Sequence, residues 1–381
     1  MYKRRQILVN RGNESCFLWG PRQTGKTTLL KELFPDSSFY DLLLSDHYGR
    51  LQMQPSLLRQ ELLAKPPKTP VIIDEVQKIP ALLDEIQWLI VNHKIQFILS
   101  GSSARKLKRG GANLLGGRAL RYELFPLTSA EIPDFDLLRA LNNGLLPRHY
   151  LAAGDARNFL EAYVGEYLKE EIAAEALTRN IPAFSRFLEA AAFSNGEVVN
   201  YKNIASDCGV SMPTAKQYFG ILEDTLIGGM VPPFLKRPKR RTIHAPKFYF
   251  FDVGLANYLL KRGRIEAHSE VFGRAFEHFI RQELAAHSRY SGLGYPVTYW
   301  RTSSQVEVDF ILGDHHTAVE VKGTALAGPH HLKGLKAFRE EYKVKNSIVV
   351  SMDPKPRLID GITILPWNIF LAKLWAGELI L

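Results

Sequence analysis

The chain has 381 residues, of which 46% are hydrophobic and 23% charged, so it is long enough for two or three ordinary globular domains. No apolar run reaches the length of a membrane span, and the basic N-terminus lacks the pattern of a signal peptide. The two cysteines lie far apart and form no disulfide framework. We therefore predict a cytoplasmic protein with no membrane partner. The formal net charge of +10 favours a polyanionic partner such as nucleic acid, although a basic surface without a partner would give the same value.

The first 130 residues have the pattern of a parallel α/β layer. Short apolar runs at 15–19, 71–73 and 96–99 are the clearest strands, and a weaker run begins at Phe39. Because the segments between them are long enough for crossover helices, the strands should pair in parallel. We therefore predict an α/β domain over residues 1–150.

A glycine-rich loop follows the first strand and precedes a helix. Such loops bind phosphates through converging backbone N–H groups and the positive end of the helix. Lys26 would reach the β- and γ-phosphates of a nucleotide, and the Thr27 hydroxyl would bind Mg²⁺. We predict ATP and Mg²⁺ as cofactors, bound by Gly20, Pro21, Arg22, Gln23, Thr24, Gly25, Lys26, Thr27 and Thr28.

Two acidic residues follow the apolar run at 71–73. Asp74 would hold Mg²⁺ through water, and Glu75 would act as the general base on the attacking water. After the run at 96–99, Ser100 and Ser102 are candidates for sensing the γ-phosphate, or for capping the next helix. We include Ser102 in the predicted nucleotide site.

An arginine further along the chain should stabilise the charge that develops during transfer. We predict Arg118 for this role, supplied by its own subunit or by a neighbouring copy in a homo-oligomer. Arg121 is close by in the sequence, and either arginine could instead form a surface ion pair. The origin of the arginine therefore stays open.

Residues 151–265 begin with a helical pattern and continue as a helix-turn-helix. Asn200 can cap a first helix, and a small residue at 205 with a glycine at 209 allows two helices to cross closely. The second helix buries an apolar stripe. Its outward side chains, Thr214, Lys216 and Gln217, are predicted DNA contacts.

A basic run follows the predicted helix-turn-helix, and a shorter one occupies residues 105–109. Pro238, inside the run that follows the helix-turn-helix, favours a loop or β-wing lying near a phosphate backbone. The alternative is a winged helix that packs against a neighbouring domain or protein and never touches DNA. The predicted DNA contacts of the run are Lys236, Arg237, Lys239, Arg240 and Arg241.

The alternation of residues 306–322 predicts an antiparallel hairpin. If Leu312 pairs with Thr317, Asp309 lies opposite Glu320, and Glu307 lies opposite Lys322. The four charged side chains then share one face, and two carboxylates lie close enough to bind one divalent cation. The opposite, apolar face would hold Val308, Phe310, Val319 and Val321.

Several segments carry a family resemblance. GPRQTGKTTLL, VIIDEVQKIP, FILSGSSARKL and GGRALRYELFPLT, in this order, resemble a prokaryotic family of AAA-type ATPases. KFYFFDVGLANYL, GRAFEHFI, TYWRTSSQVEVDFIL and AVEVKG are similar to the C-terminal region of that family, domain of unknown function 4143. The resemblance implies ATP binding with Mg²⁺ and a nuclease-like C-terminal fold, but it supplies no substrate.

The hairpin itself resembles the PD-(D/E)xK nucleases. This resemblance implies that Asp309 and Glu320 hold Mg²⁺, that Lys322 orients or activates the attacking water, and that Glu277 adds a further acid. Val308 stands where the motif has proline. Hydrolytic activity is therefore an expectation that the motif alone does not establish.

The predicted fold is a multi-domain α/β protein: an AAA-type P-loop domain over 1–150, a helical and winged-helix region over 151–265, and a PD-(D/E)xK-like domain over 266–381. Two functions fit this order. One is an ATP-driven enzyme that acts on DNA and cleaves it with Mg²⁺. The other is an ATP-switched regulator whose nuclease fold only binds DNA or a partner.

Overall fold

A computed structural model of the chain describes residues 2–8, 14–103, 115–168, 180–236 and 240–380, except for the side chains of 166–168. The chain folds into two compact units. The N-terminal unit consists of Gln6–Phe125 with Asp224–Leu226, and the C-terminal unit consists of Met1–Arg5, Pro126–Glu223 and Ile227–Leu381. Within the described ranges, no helix is both long and apolar enough to cross a membrane.

The N-terminal unit contains a five-stranded parallel sheet in the order β2-β3-β4-β1-β5. Its strands are β1 Ser15–Trp19, β2 Phe39–Asp41, β3 Val71–Asp74, β4 Phe97–Gly101 and β5 Ala119–Glu123. Its helices are α1 Lys26–Leu33, α2 Ser45–Met53, α3 Ser56–Ala64 and α4 Leu82–His93. The predicted α/β class and the parallel pairing are confirmed.

The three central strands of this sheet are buried along their whole length. Because helices cover both faces of a parallel sheet, its inner strands are mainly apolar and do not alternate. Asp74 and Ser100 lie in the last residues of β3 and β4, at the carboxyl ends where parallel strands meet at one edge. A short 3₁₀ helix, Val76–Lys78, leads directly out of β3.

The C-terminal unit begins with helices. They are α5 Leu137–Asn143, α6 Pro147–Tyr150, α7 Arg157–Ala162 with a π-helical continuation Tyr163–Leu168, α8 Ile181–Phe193, α9 Tyr201–Cys208, α10 Met212–Asp224 and α11 Val253–Leu259. The Asn200 side chain caps α9, Gly209 ends it with a φ of +66°, and the Ser211 hydroxyl accepts from the Thr214 N–H. The predicted helix pair is therefore present with its predicted caps.

A two-stranded antiparallel sheet follows α10, formed by β6 Gly228–Val231 and β7 Lys247–Phe250. The described residues of the connection between these strands, 232–236 and 240–246, bond to the edge of the next sheet. The Phe234 N–H bonds to the Tyr299 carbonyl at 2.7 Å, and the Ile243 N–H bonds to the Arg301 carbonyl at 2.9 Å. The predicted wing is thus attached to a neighbouring strand by backbone hydrogen bonds.

A six-stranded mixed sheet has the order β12-β13-β11-β10-β9-β8. Its strands are β8 Val297–Arg301, β9 Glu307–Leu312, β10 Thr317–Lys322, β11 Asn346–Ser351, β12 Arg357–Ile359 and β13 Ile362–Pro366. Helices α12 Glu270–Tyr290 and α14 Trp367–Trp375 pack on one face, and α13 Lys333–Glu341 packs on the other. Each face is covered by apolar side chains of its helices.

The predicted hairpin register holds at its turn but not at its far end. Leu312 pairs with Thr317, as predicted. A register shift between β8 and β9, opposite Tyr299, places two residues of β9 against one of β8. As a consequence Val308 packs with the α13 face, and Phe310 packs with the α12 face. The prediction that Val308 and Phe310 share one face is wrong.

Candidate functional site

The phosphate loop is formed by backbone geometry that few residues tolerate. Gly25 has a φ of +91°, and Gln23 has a φ of +63°. A Cβ atom on Gly20 would lie 2.5 Å from the Leu124 carbonyl oxygen, so glycine is required there by close packing. Thr24 is buried, and its hydroxyl donates to the Pro21 carbonyl at 2.8 Å.

Lys26 is buried at the first position of α1. Its ammonium group donates to the carbonyl oxygens of Gly20 at 2.8 Å and Pro21 at 3.0 Å. Burial lowers the pKa of Lys26, and the carboxylates of Glu75 and Asp74 counteract that effect only in part. An anion beside Lys26 would therefore stabilise its charged form, as the predicted phosphate contact requires.

The predicted magnesium ligands are in contact with each other. The Thr27 hydroxyl donates to Asp74 Oδ2 at 2.5 Å, and Ser100 donates to Asp74 Oδ1. A hydroxyl beside a carboxylate at the carboxyl end of β3 supplies the hard oxygen donors that Mg²⁺ prefers. Thr27 and Asp74 thus fit a magnesium ion, and Ser100 orients the carboxylate of Asp74.

Glu75 is held by Gln77, a residue for which the sequence predicted no role. Gln77 Nε2 donates to Glu75 Oε2 and to Ser102 Oγ, the latter at 3.1 Å, and Ser102 Oγ lies 3.4 Å from the same Glu75 oxygen. All three residues are buried. Gln77 lies two residues after Glu75 and just beyond the buried strand β3, and this position is the feature of the sequence that could have indicated its contact with Glu75.

Three of the remaining predicted nucleotide ligands are at least partly exposed to solvent. Gln23 and Thr28 are exposed, and Arg22 is partly buried. Arg118 is exposed and forms no ion pair with any residue that the structure describes, whereas Arg121 pairs with Glu123 at 2.9 Å. The role of Arg118 stays a prediction. Residues 105–109 lie outside the described part of the chain.

In the C-terminal unit, Asp309, Glu320 and Lys322 converge. Lys322 Nζ lies 2.7 Å from Glu320 Oε1 and 3.6 Å from Asp309 Oδ2. The backbone pairing of β9 with β10 ends at Phe310 and Val319. Beyond that pair, Asp309 Oδ2 accepts a hydrogen bond from the Val321 N–H at 2.7 Å. The bulge in β9 thus directs the Asp309 carboxylate toward β10.

The surroundings of the Glu320 carboxyl disfavour its ionised form. Burial and the neighbouring Asp309 carboxylate raise the pKa of Glu320 to about 8, against the opposing effect of Lys322. Glu320 Oε2 is buried and has no hydrogen-bond partner among the described residues. A proton or a cation beside that oxygen would relieve both conditions, so Asp309 and Glu320 together fit a divalent ion.

Glu277 and Glu307 are engaged by a buried lysine from β7. Lys247 Nζ lies 3.4 Å from Glu277 Oε1 and forms an ion pair with Glu307, and the Tyr249 hydroxyl donates to Glu277 Oε1 at 2.6 Å. Glu307 also pairs with Arg301 at 3.2 Å. Lys247 and Tyr249 were not predicted from the sequence.

Glu277, the third predicted metal ligand, lies beside a lysine and a tyrosine. Burial raises the pKa of Glu277, and the Asp309 carboxylate adds to that effect while Lys247 opposes it. Among the described residues, no group of three or more His, Cys, Asp or Glu side chains is placed to hold a metal ion. The metal set of Glu277, Asp309 and Glu320 stays a prediction.

The predicted DNA contacts fall into two groups. On α10, Lys216 and Gln217 are exposed and Thr214 is partly exposed. In the basic run, Lys236 pairs with Asp314, and Arg240 pairs with Glu340 and with Glu341. Arg241 is exposed, while Arg237 and Lys239 lie outside the described residues.

The parallel sheet in the order β2-β3-β4-β1-β5, with a phosphate loop after β1 and an acidic pair after β3, defines a P-loop domain of the AAA type. Residues 12–133 match the family model of an AAA domain, and residues 272–370 match a domain of unknown function, DUF4143. The predicted combination of these two domains is confirmed. Residues 134–266 match a third model, also a domain of unknown function, DUF8612.

The structure of the Aeropyrum pernix Orc1 protein in complex with DNA is among the solved structures that match. It shares 14% sequence identity, with 65% of this chain and 86% of that chain covered and a TM-score of 0.24. Among curated proteins, no similar sequence was found.

Proposed function

We propose that the protein is a Mg²⁺-dependent ATPase of the cytoplasm that acts on DNA, with a C-terminal domain that cleaves DNA using a divalent cation. We further propose that its regions divide near residues 150 and 265. The ATPase part rests chiefly on one observation: Thr27 contacts Asp74 beside a restrained Glu75.

In this proposal, each residue of the site in the N-terminal unit has a separate role in ATP hydrolysis. Lys26 binds the phosphates from the first turn of α1, and Thr27 with Asp74 holds Mg²⁺, which neutralises charge on the transferred phosphoryl group when bound. Glu75 accepts a proton from the attacking water. Gln77 and Ser102 keep the Glu75 carboxylate in one orientation.

Hydrolysis and binding can be separated by two substitutions. Glu75→Gln should retain ATP binding and slow hydrolysis by several orders of magnitude, and Lys26→Ala should abolish binding. The measurements are ATP affinity by equilibrium titration and phosphate release at saturating ATP. Glu32→Gln, on the exposed side of α1, is the control and should leave both unchanged. Hydrolysis at the parental rate in Glu75→Gln would contradict the assignment of the base.

DNA cleavage is supported by the pair of Asp309 and Glu320 beside Lys322. Asp309→Ala and Glu320→Ala should each abolish metal-dependent nicking of a supercoiled plasmid, with and without ATP. Lys322→Ala should lose nicking and retain Mn²⁺ binding, because the lysine positions the nucleophile. Asp360→Ala removes an exposed surface acid and should cut normally.

A second function is favoured by a specific observation. Lys247 already pairs with Glu277, one of the three predicted metal ligands, which leaves the carboxylates of Asp309 and Glu320 for a cation. If the parental protein binds DNA yet leaves a plasmid intact with Mg²⁺ and with Mn²⁺, the regulator is the correct function. The ATPase assays above are independent of that outcome.

A further inference from the structure

We propose that a cavity in the C-terminal unit, lined by arginines, binds a phosphorylated small molecule. The cavity lies among α5, residues 152–160 and residues 257–265, and its volume is about 450 Å³. Ligand pockets typically measure roughly 300–1,000 Å³, so a nucleotide-sized molecule fits. The cavity shares no residue with the phosphate loop or with the carboxylates of β9 and β10.

Asparagine side chains fix the walls of this cavity. Asn142 donates to the Ile265 carbonyl at 3.0 Å and accepts the Ile265 N–H at 2.7 Å. Asn143 donates to the Gly154 carbonyl at 3.0 Å, and Asn257 donates to the Leu141 carbonyl at 2.9 Å. The three segments are thus joined by specific hydrogen bonds, which reduces the ordering cost of binding a ligand.

The charge of the cavity is predominantly positive. Four arginines line it against two aspartates: Arg139, Arg157, Arg262 and Arg264 against Asp136 and Asp155. Both aspartates already serve as acceptors for backbone N–H groups at helix starts, of Arg139 at 3.0 Å and of Arg157 at 2.9 Å. The carboxylates are therefore partly committed to the backbone.

Three of the arginines, Arg157, Arg262 and Arg264, form no ion pair with the residues that the structure describes. Arg262 is half-buried, and the other two are exposed. Arg139 stacks on the Tyr150 ring. Burial and the nearby Arg274 lower the pKa of Arg262, against the weaker effect of Glu270. An anion in the cavity would offset this uncompensated charge.

The chemistry of guanidinium groups indicates the class of ligand. Arginine forks match the oxygens of phosphate in paired hydrogen bonds. Arg262 and Arg264 are two residues apart in the chain and both line the cavity, so we place the phosphate beside them. The half-buried Tyr258 also lines the cavity and offers a ring surface to a base or sugar attached to the phosphate. We therefore expect a small phosphomonoester, with the phosphate at the arginines.

The test uses the full chain carrying Lys26→Ala, so that the phosphate loop does not contribute. The probes are 5′-AMP, inorganic phosphate and adenosine, each titrated by calorimetry. We expect 5′-AMP to bind, inorganic phosphate to compete with it, and adenosine to bind at least tenfold more weakly. Arg262→Gln and Arg264→Gln should each weaken 5′-AMP binding at least tenfold, and Arg262→Lys less.

Arg289→Gln, an exposed arginine outside the cavity, is the matched control and should bind 5′-AMP like its parent. Equal binding of 5′-AMP and adenosine would overturn the proposal, since the phosphate would then contribute nothing. The same conclusion would follow if neither cavity variant differed from Arg289→Gln, or if no probe bound at millimolar concentration. Because Lys26 is already replaced, these outcomes do not depend on the ATPase proposal.

Discussion

Glu75 has a φ of +57°, which places a non-glycine residue in the left-handed region. Such a conformation costs roughly 1–2 kcal/mol and persists only when the surroundings enforce it. Here the enforcing contacts come from Gln77 and Ser102, which hold the carboxylate from one side. At the scale of single residues, the position of Glu75, the proposed general base, therefore depends on an amide two residues away.

We predict that Gln77→Leu lowers kcat for ATP hydrolysis by roughly 10- to 100-fold, because a small displacement of a catalytic group has an effect of that order. The affinity for ATP should stay unchanged, since Gln77 does not belong to the phosphate loop. Steady-state kinetics and nucleotide titration measure the two quantities. Gln77→Asn retains the amide on a shorter side chain and should recover part of the rate. Equal loss in both variants, together with weaker binding, would indicate a general packing defect.

Lys247 is 3% exposed and lies between two carboxylates. Burial disfavours its charged form, but Glu277 and the other neighbouring acids raise the pKa of Lys247 well above its usual range. Removing one member of a buried ion pair leaves the other charge uncompensated, at a cost of about 3–5 kcal/mol.

Lys247→Met should therefore destabilise the protein by about that amount in urea unfolding. Adding Glu277→Gln should restore part of the loss, because one unpaired carboxylate is then removed. Lys261→Met breaks an exposed pair with Glu189 and should change the unfolding midpoint little. A stable Lys247→Met variant would show that the two carboxylates find other partners.

Among the elements, the three central strands of the N-terminal sheet were predicted almost to their ends, because apolar runs separated by helices admit few other folds. The edge strand β5 was not predicted, since its sequence is largely polar and partly exposed. The hairpin turn was predicted by its period of two. The bulge at Asp309 and Phe310 was not, since it depends on pairing with β8, whose partner cannot be read from β9. For the same reason Lys247 was missed: nothing in its local sequence indicates contact with a glutamate 30 residues away.

The basic run illustrates how an element's surroundings change its expected role. Lys236 and Arg240 are paired with acids of the C-terminal sheet region, and Arg241 is exposed. Arg241→Ser should weaken DNA binding for every sequence and reduce the slope of log affinity against log salt by about 1. Arg240→Ser should change that slope much less. If both variants behave alike, the ion pairs of Arg240 open when DNA binds.

At the scale of the whole molecule, a buried acid links stability to pH. Glu283 accepts hydrogen bonds from the Ser129 N–H at 2.7 Å and from Trp375 Nε1 at 2.7 Å, within the core of the C-terminal unit. Burial nevertheless raises the pKa of Glu283 from 4.5 to about 7. The native state therefore holds this proton more tightly than the unfolded state does.

The stabilising effect of that proton is complete below about pH 4.5 and is lost as the pH rises through 7. Glu283→Gln should make the free energy of unfolding less dependent on pH across this window. Urea midpoints at pH 5, 6, 7 and 8 test the slope, with the exposed Glu378→Gln as control. An unchanged slope would mean that Glu283 is ionised throughout.

The connection between β6 and β7 covers the outer edge of β8 through backbone bonds at Tyr299 and Arg301. An uncovered edge strand presents unpaired N–H and C=O groups to any other strand it meets, and is a common cause of aggregation. A fragment beginning at residue 266 would contain β8 but not its cover. We expect such a fragment to self-associate, and one that begins before residue 227 to remain dispersed. Light scattering of the two fragments would show whether this loop also serves as protection against intermolecular β-pairing.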